Sequence, residues 1–85
     1  MGNVYIAENV IVLTVENDEQ TTPDKLVNAS FTNLGSADAT LTMADQAWIL
    51  PSNATFNLGE PKSGPYWNAV KITALTTKVQ CVYYK

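Results

Sequence analysis

The strongest constraint on this chain is a period of two. Val27, Ala29 and Phe31 alternate with Asn28, Ser30 and Thr32; Ala39, Leu41 and Met43 alternate with Thr40 and Thr42; Val70, Ile72 and Ala74 alternate with Lys71 and Thr73. Successive side chains of an extended strand point to opposite faces, so this spacing collects the apolar residues on one side. Valine and threonine, which suit a pleated surface, fill the same segments. The run Val10-Ile11-Val12-Leu13-Thr14-Val15 does not alternate and follows Val4-Tyr5-Ile6. It reads as a strand covered on both faces, ending in a polar loop from Glu16 to Asp24.

Turn chemistry punctuates the rest. Asn33-Leu34-Gly35-Ser36 reads as a turn with Gly35 free to take a positive φ. It makes the Ala39–Met43 segment the hairpin partner of the preceding strand. Ala47 to Leu50 and Thr55 to Leu58 are further short strands around Pro51-Ser52-Asn53, and a turn at Thr76-Thr77 leads to Val79-Gln80-Cys81-Val82-Tyr83-Tyr84. Residues 22–30 admit two readings. Thr22-Pro23-Asp24 could open a helix, whereas the alternation through Phe31 favours a strand. The expectation is an all-β domain: a small antiparallel β-sandwich or barrel of about seven or eight short strands. The chain has 85 residues and forms one domain, 1–85. Residues 1–24 either belong to it or exchange with a neighbouring subunit.

Composition narrows the chemistry. There is no histidine and no arginine, and Cys81 is the single cysteine. Histidine is the side chain that titrates near neutrality unaided. Arginine is the usual fork for carboxylate and phosphate. Cys81 and the serines therefore lack a base to activate them as nucleophiles, and the Val79–Tyr83 alternation places Cys81 in the core. Glu16, Asp18 and Glu19 cluster, but without the glycine and terminal glutamate of an EF-hand loop. The reading is no enzyme, no metal site and no cofactor. Five lysines are scattered among eight carboxylates, for a net charge of −3, which argues against nucleic acid and against an anionic membrane surface. No apolar stretch approaches the ~18 residues of a membrane-spanning helix, and the N-terminus has no basic, apolar leader pattern. A domain this small commonly draws stability from disulfides, metals or self-association; with the first two missing from the sequence, a homo-oligomer is expected.

Aromatic residues carry the best interaction signal. Tyr66 and Trp67 follow a Gly/Pro-rich loop that Pro61 and Pro65 stiffen, and Tyr83 and Tyr84 sit near the C-terminus. Such residues are enriched at protein interfaces and also stack on sugar rings. Trp48 reads as core, while core and contact surface are both open for Trp67. Adjacent Tyr83 and Tyr84 must face opposite ways, so one is core and the other exposed. The candidate contact residues are Pro61, Pro65, Tyr66, Trp67 and Tyr84.

Phe31-Thr32-Asn33-Leu34-Gly35-Ser36-Ala37-Asp38-Ala39-Thr40-Leu41 is similar to a strand–"N-x-G-S"–strand hairpin of small β-sandwich modules. Leu50-Pro51-Ser52-Asn53-Ala54-Thr55-Phe56-Asn57-Leu58 resembles the "L-P-G-x-S-F-x-L" segment that often follows it, with Ser52 where glycine is preferred. With the two terminal strand patterns, residues 26–85 resemble accessory structural proteins of tailed bacteriophages and prophages: head-decoration, head-fibre or tail-associated modules. The resemblance implies a non-enzymatic assembly subunit, forming a trimer or higher ring. It also implies docking on a phage capsid or tail, and a place in the virion after assembly in the host cytoplasm. The other reading of the same aromatics is a carbohydrate- or cell-surface-binding β-sandwich module.

Overall fold

One long strand organises the sheet. In the computed structural model, which describes residues 10–26, 28–59 and 67–84, the strands are β1 (Val10–Thr21), β2 (Asn28–Asn33), β3 (Ala39–Met43), β4 (Gln46–Leu50), β5 (Thr55–Leu58) and β6 (Lys71–Tyr84). All pairings are antiparallel, in the order β4-β3-β6-β2-β5, with β1 along the other side of β6. β3 pairs with Lys71–Thr73 of β6, and β2 pairs with Val79–Tyr84. β6 therefore serves two half-sheets, β4-β3-β6-β1 and β5-β2-β6-β1.

Between them the strands change direction. Glu16 pairs with Lys78 and Asp18 with Ala74, so Leu75, Thr76 and Thr77 on β6 oppose Asn17 alone, which takes φ 53°. Such a bulge bends a strand and sharpens its twist. The buried positions shift phase here, from Ile72 and Ala74 to Thr77, Val79, Cys81 and Tyr83. The two ends of the pairing order then meet: the Trp48 ring on β4 lies 5.0 Å from the Phe56 ring on β5. An antiparallel sheet whose opposite ends touch is curled, and the core lines its concave side. The rows across it are Leu13–Cys81–Phe31–Phe56 and Ile11–Tyr83–Ala29–Leu58 on one half, and Ile72–Leu41–Trp48 on the other.

The described residues hold six strands. Residues 28–33 are strand, the reading that the alternation through Phe31 favoured. Several sequence expectations are corrected. β3 is not the hairpin partner of β2: it pairs with β4 and β6. The turn after β2 carries the chain from one half-sheet to the other. Thr76-Thr77 is no turn, since two β-branched residues continue a strand through a bulge. Glu16–Thr21 is not a loop but the solvated continuation of β1. Nor is the Val10–Val15 run covered on both faces, because Val12 is 58% exposed. Gly35 is required for closeness rather than for a positive φ, since a Cβ there would collide with the Thr77 side chain and lie 2.8 Å from the Lys78 backbone nitrogen. The left-handed residue of the Pro51-Ser52-Asn53 turn is Asn53, φ 66°. Ser52 instead donates its hydroxyl to the Gly35 carbonyl at 2.6 Å, so glycine is not needed at that position.

Asn33 ties these pieces together. It is fully buried. Its Nδ2 donates to the carbonyls of Ala37 (2.8 Å) and Leu50 (2.9 Å), and its Oδ1 accepts from Gly35 N–H (3.0 Å) and from the Thr77 hydroxyl (2.8 Å). An apolar side chain here would strand all four groups. Asn33→Ala is expected to cost about 3 kcal/mol or more in urea denaturation. Thr32→Ala, which breaks only the exposed Thr32–Thr55 hydroxyl pair, should cost under about 1 kcal/mol. Equal losses would show that the carboxamide is not the junction described.

The β3–β4 hairpin turns through Ala44 and Asp45, with φ of 52° and 66°. Two positive φ values define the tight hairpin turn that Asn-Gly fills best. The double change Ala44→Asn, Asp45→Gly is expected to raise stability by roughly 1 kcal/mol in the same assay.

Candidate interaction surface

The convex side of the β5-β2-β6-β1 half-sheet carries the apolar surface. Antiparallel partners share a face, so the register gives its rows directly: Val10–Tyr84–Asn28, Val12–Val82–Ser30–Asn57, and Thr14–Gln80–Thr32–Thr55. No charged residue stands in these rows. Charge begins one row further on, where Glu16 faces Lys78. Val10, Val12, Val82 and Tyr84 make an apolar corner in which Val12 is 58% and Tyr84 37% exposed. Ile49 on β4 and Leu75 at the β6 bulge are exposed too, but lie on other parts of the sheet.

Among the sequence-derived contact residues that the structure describes, Tyr84 and Trp67 lie in different surroundings. Tyr84 belongs to this corner, while Tyr83 points into the core. Trp67 is half-buried, packs against the core and donates its Nε1–H to the Gly59 carbonyl at 2.7 Å. Its backbone exchanges hydrogen bonds with Leu26. Pro61, Pro65 and Tyr66 lie outside the described residues. Val10, Val12 and Val82 were missed because an uninterrupted apolar run reads as buried on both sides. The polar partners Ser30 and Thr32, in register across β6, were the available signal that this face is solvated.

The acidic cluster does not converge. Asp18 pairs with Ala74 and Glu19 with Thr73, so the two carboxylates leave β1 on opposite faces. Among the described residues no three acidic or thiol side chains gather as a metal site. Glu19 accepts from the Thr73 hydroxyl (2.9 Å) and pairs with Lys71 (3.2 Å), which together hold its carboxyl below the usual range. Trp48 Nε1 is buried with no hydrogen-bond partner among the described residues.

Cys81 lies at the centre of the Leu13–Phe31 row, and burial pushes its thiol up to about 12 from 9.0. A thiolate is the reactive form, so the native protein is expected not to react with a thiol reagent at pH 8 and to react once unfolded. The sign for stability follows. The raised folded value favours the native state fully below the unfolded thiol's pKa of 9.0, and that contribution falls away as pH climbs toward about 12. Cys81→Ala should flatten this alkaline loss in pH-dependent denaturation.

No protein-family model matches the chain, and no curated protein sequence does. Solved structures share its fold. A putative ethanolamine utilization protein Q from Salmonella typhimurium LT2 aligns with a TM-score of 0.58 at 8% identity, over 88% of this chain and 55% of that one. A cupin-2 domain containing protein from Shewanella frigidimarina NCIMB 400 aligns with a TM-score of 0.59 at 14% identity, over 89% and 69%. A de novo designed double-stranded β-helix aligns with a TM-score of 0.56 at 12% identity, over 88% and 95%. This chain thus spans about half the length of the first of them. At such identities the likeness concerns architecture alone: a curled, antiparallel, all-β sheet of the double-stranded β-helix kind.

Proposed function

We propose that this chain is a non-enzymatic structural subunit that assembles with copies of itself and docks onto a larger protein particle. The sequence resemblance makes the virion of a tailed phage the favoured particle. The observation that carries the reading is the uncharged convex face with its Val10, Val12, Val82 and Tyr84 corner. A solvated sheet face of a small protein is ordinarily broken up by charge, and contiguous apolar surface rimmed by polar groups marks contact sites. The threonines, serine and asparagines around the corner form the kind of polar rim that interfaces have. In this reading the half-barrel is closed into a sandwich or barrel within the assembly.

Native mass spectrometry of the full chain tests this. Masses of two or more copies are expected, and Tyr84→Ala should lower the assembled fraction while leaving the melting temperature within a few degrees, as for an exposed position. An unmodified chain that stays single at every concentration would refute the reading.

A further inference from the structure

Resting on that assembly reading, we propose that Val10–Thr14 of β1 pairs antiparallel with the same segment of a second copy, joining two curled sheets edge to edge about a two-fold axis. The outer edge of β1 has no strand partner among the described residues. A bare edge is a template for another strand, and natural sheets blunt theirs with short strands, charges, bulges or inward-pointing charged side chains. β4 and β5 are short, at five and four residues. The second half of β1 is protected as well. Glu16 and Glu19 lie on its convex side, Asp18 shares the concave face with Ala74, and Gln20 shares it with Ile72. The half from Val10 to Val15 has none of these devices.

The core is unfinished along the same edge. Ile11, Leu13 and Val15 face inward beside Tyr83, Cys81 and Val79. Cys81 and Tyr83 are buried, yet their partners Leu13 and Ile11, one strand further out, remain partly exposed, whereas Val15 beside Val79 is covered. The far side of the same rows is closed by Trp48 against Phe56; among the described residues the β1 side has no such closure. A second copy fits it by symmetry and by charge. A two-fold axis normal to the sheet keeps each face on its own side, so convex residues meet convex residues. With Val12 on the axis, Ile11 faces the partner copy's Leu13 and Val10 its Thr14, all apolar or hydroxyl side chains. Glu16, Asp18 and Glu19 of the two copies then lie at opposite ends of the seam. The Val10–Val12–Val82–Tyr84 corner becomes continuous across it.

Sedimentation equilibrium of the full chain tests the pairing. The unmodified chain is expected at the mass of two copies. Val12→Lys, which sets two ammonium groups together at the axis, should halve that mass with an unchanged far-ultraviolet circular dichroism spectrum. Ile49→Lys, an exposed change on β4, should leave it at two. Val12→Cys should form a disulfide-linked pair on mild oxidation, with the buried Cys81 staying free. If Val12→Lys unfolds, Thr14→Lys, at an exposed position in the same seam, takes its place. A dimer indifferent to both lysines, or an assembly of three or more that falls apart with Ile49→Lys, would overturn this edge while keeping the assembly reading. A single-copy mass for the unmodified chain would overturn both.

Discussion

The carboxamide of Asn33 is the constraint on which the curled sheet depends. Two half-sheets that share only β6 and β1 must be held at one angle, and the chain crosses between them after β2 and again after β4. Both crossings pass Asn33. Its side chain holds Ala37 in the first crossing and Leu50 at the start of the second, while its oxygen holds Thr77 at the bend of β6. Its backbone bonds to Asn53 and Ala54 complete the contact. A buried amide is costly without partners and specific with them. Every donor and acceptor here is used, so the junction accepts one arrangement of the loops and few others.

Gly35 and Ser52 show how closely the surrounding residues are fitted. The backbone at Gly35 passes so near Thr77 that no Cβ fits, and the Ser52 hydroxyl fixes the same glycine's carbonyl from the other loop. At the opposite end, Thr22 does comparable work: its N–H donates to the Val70 carbonyl and its hydroxyl accepts from Val70 N–H, both at 2.9 Å. Polar side chains thus close both ends of a core that is otherwise aliphatic and aromatic.

Strand content and facing were legible in the sequence wherever one face is solvated: the alternation around Phe31, Leu41 and Ile72 set the inward residues correctly. Connectivity was less so. Asn33-Leu34-Gly35 has ordinary turn chemistry, and nothing local tells a hairpin from a crossing between half-sheets. That depends on Thr77, forty-four positions away. The continuity of β6 was hidden for a related reason, because a bulge at Leu75–Thr77 shifts the period and looks like a break. Of the proposed contact surface, the aromatic signal reached Tyr84. Val12 and Val82 become neighbours through a register that no short-range pattern encodes, and the aromatic signal drew attention to Trp67, whose indole is tied into the chain's own backbone.

β1 condenses the division of labour in the molecule. One strand runs along the whole of β6 yet changes character at its bulge. Beyond Asn17 its carboxylates and glutamine give it a water-facing finish on both sides, including the side that looks toward Ile72 and Ala74. From Val10 to Val15 it carries no charge on either side, and its inward Ile11 and Leu13 are less covered than Tyr83 and Cys81 beside them. Among the described residues, strand pairing does not account for the contrast, because both halves pair with the same strand and neither has an outer neighbour. If solvation alone governed this edge, the polar pattern of Glu16–Thr21 would serve its whole length. Apolar residues retained on a bare edge favour an additional strand as their covering, and the concave rows ending at Ile11 and Leu13 are where its side chains would complete the core.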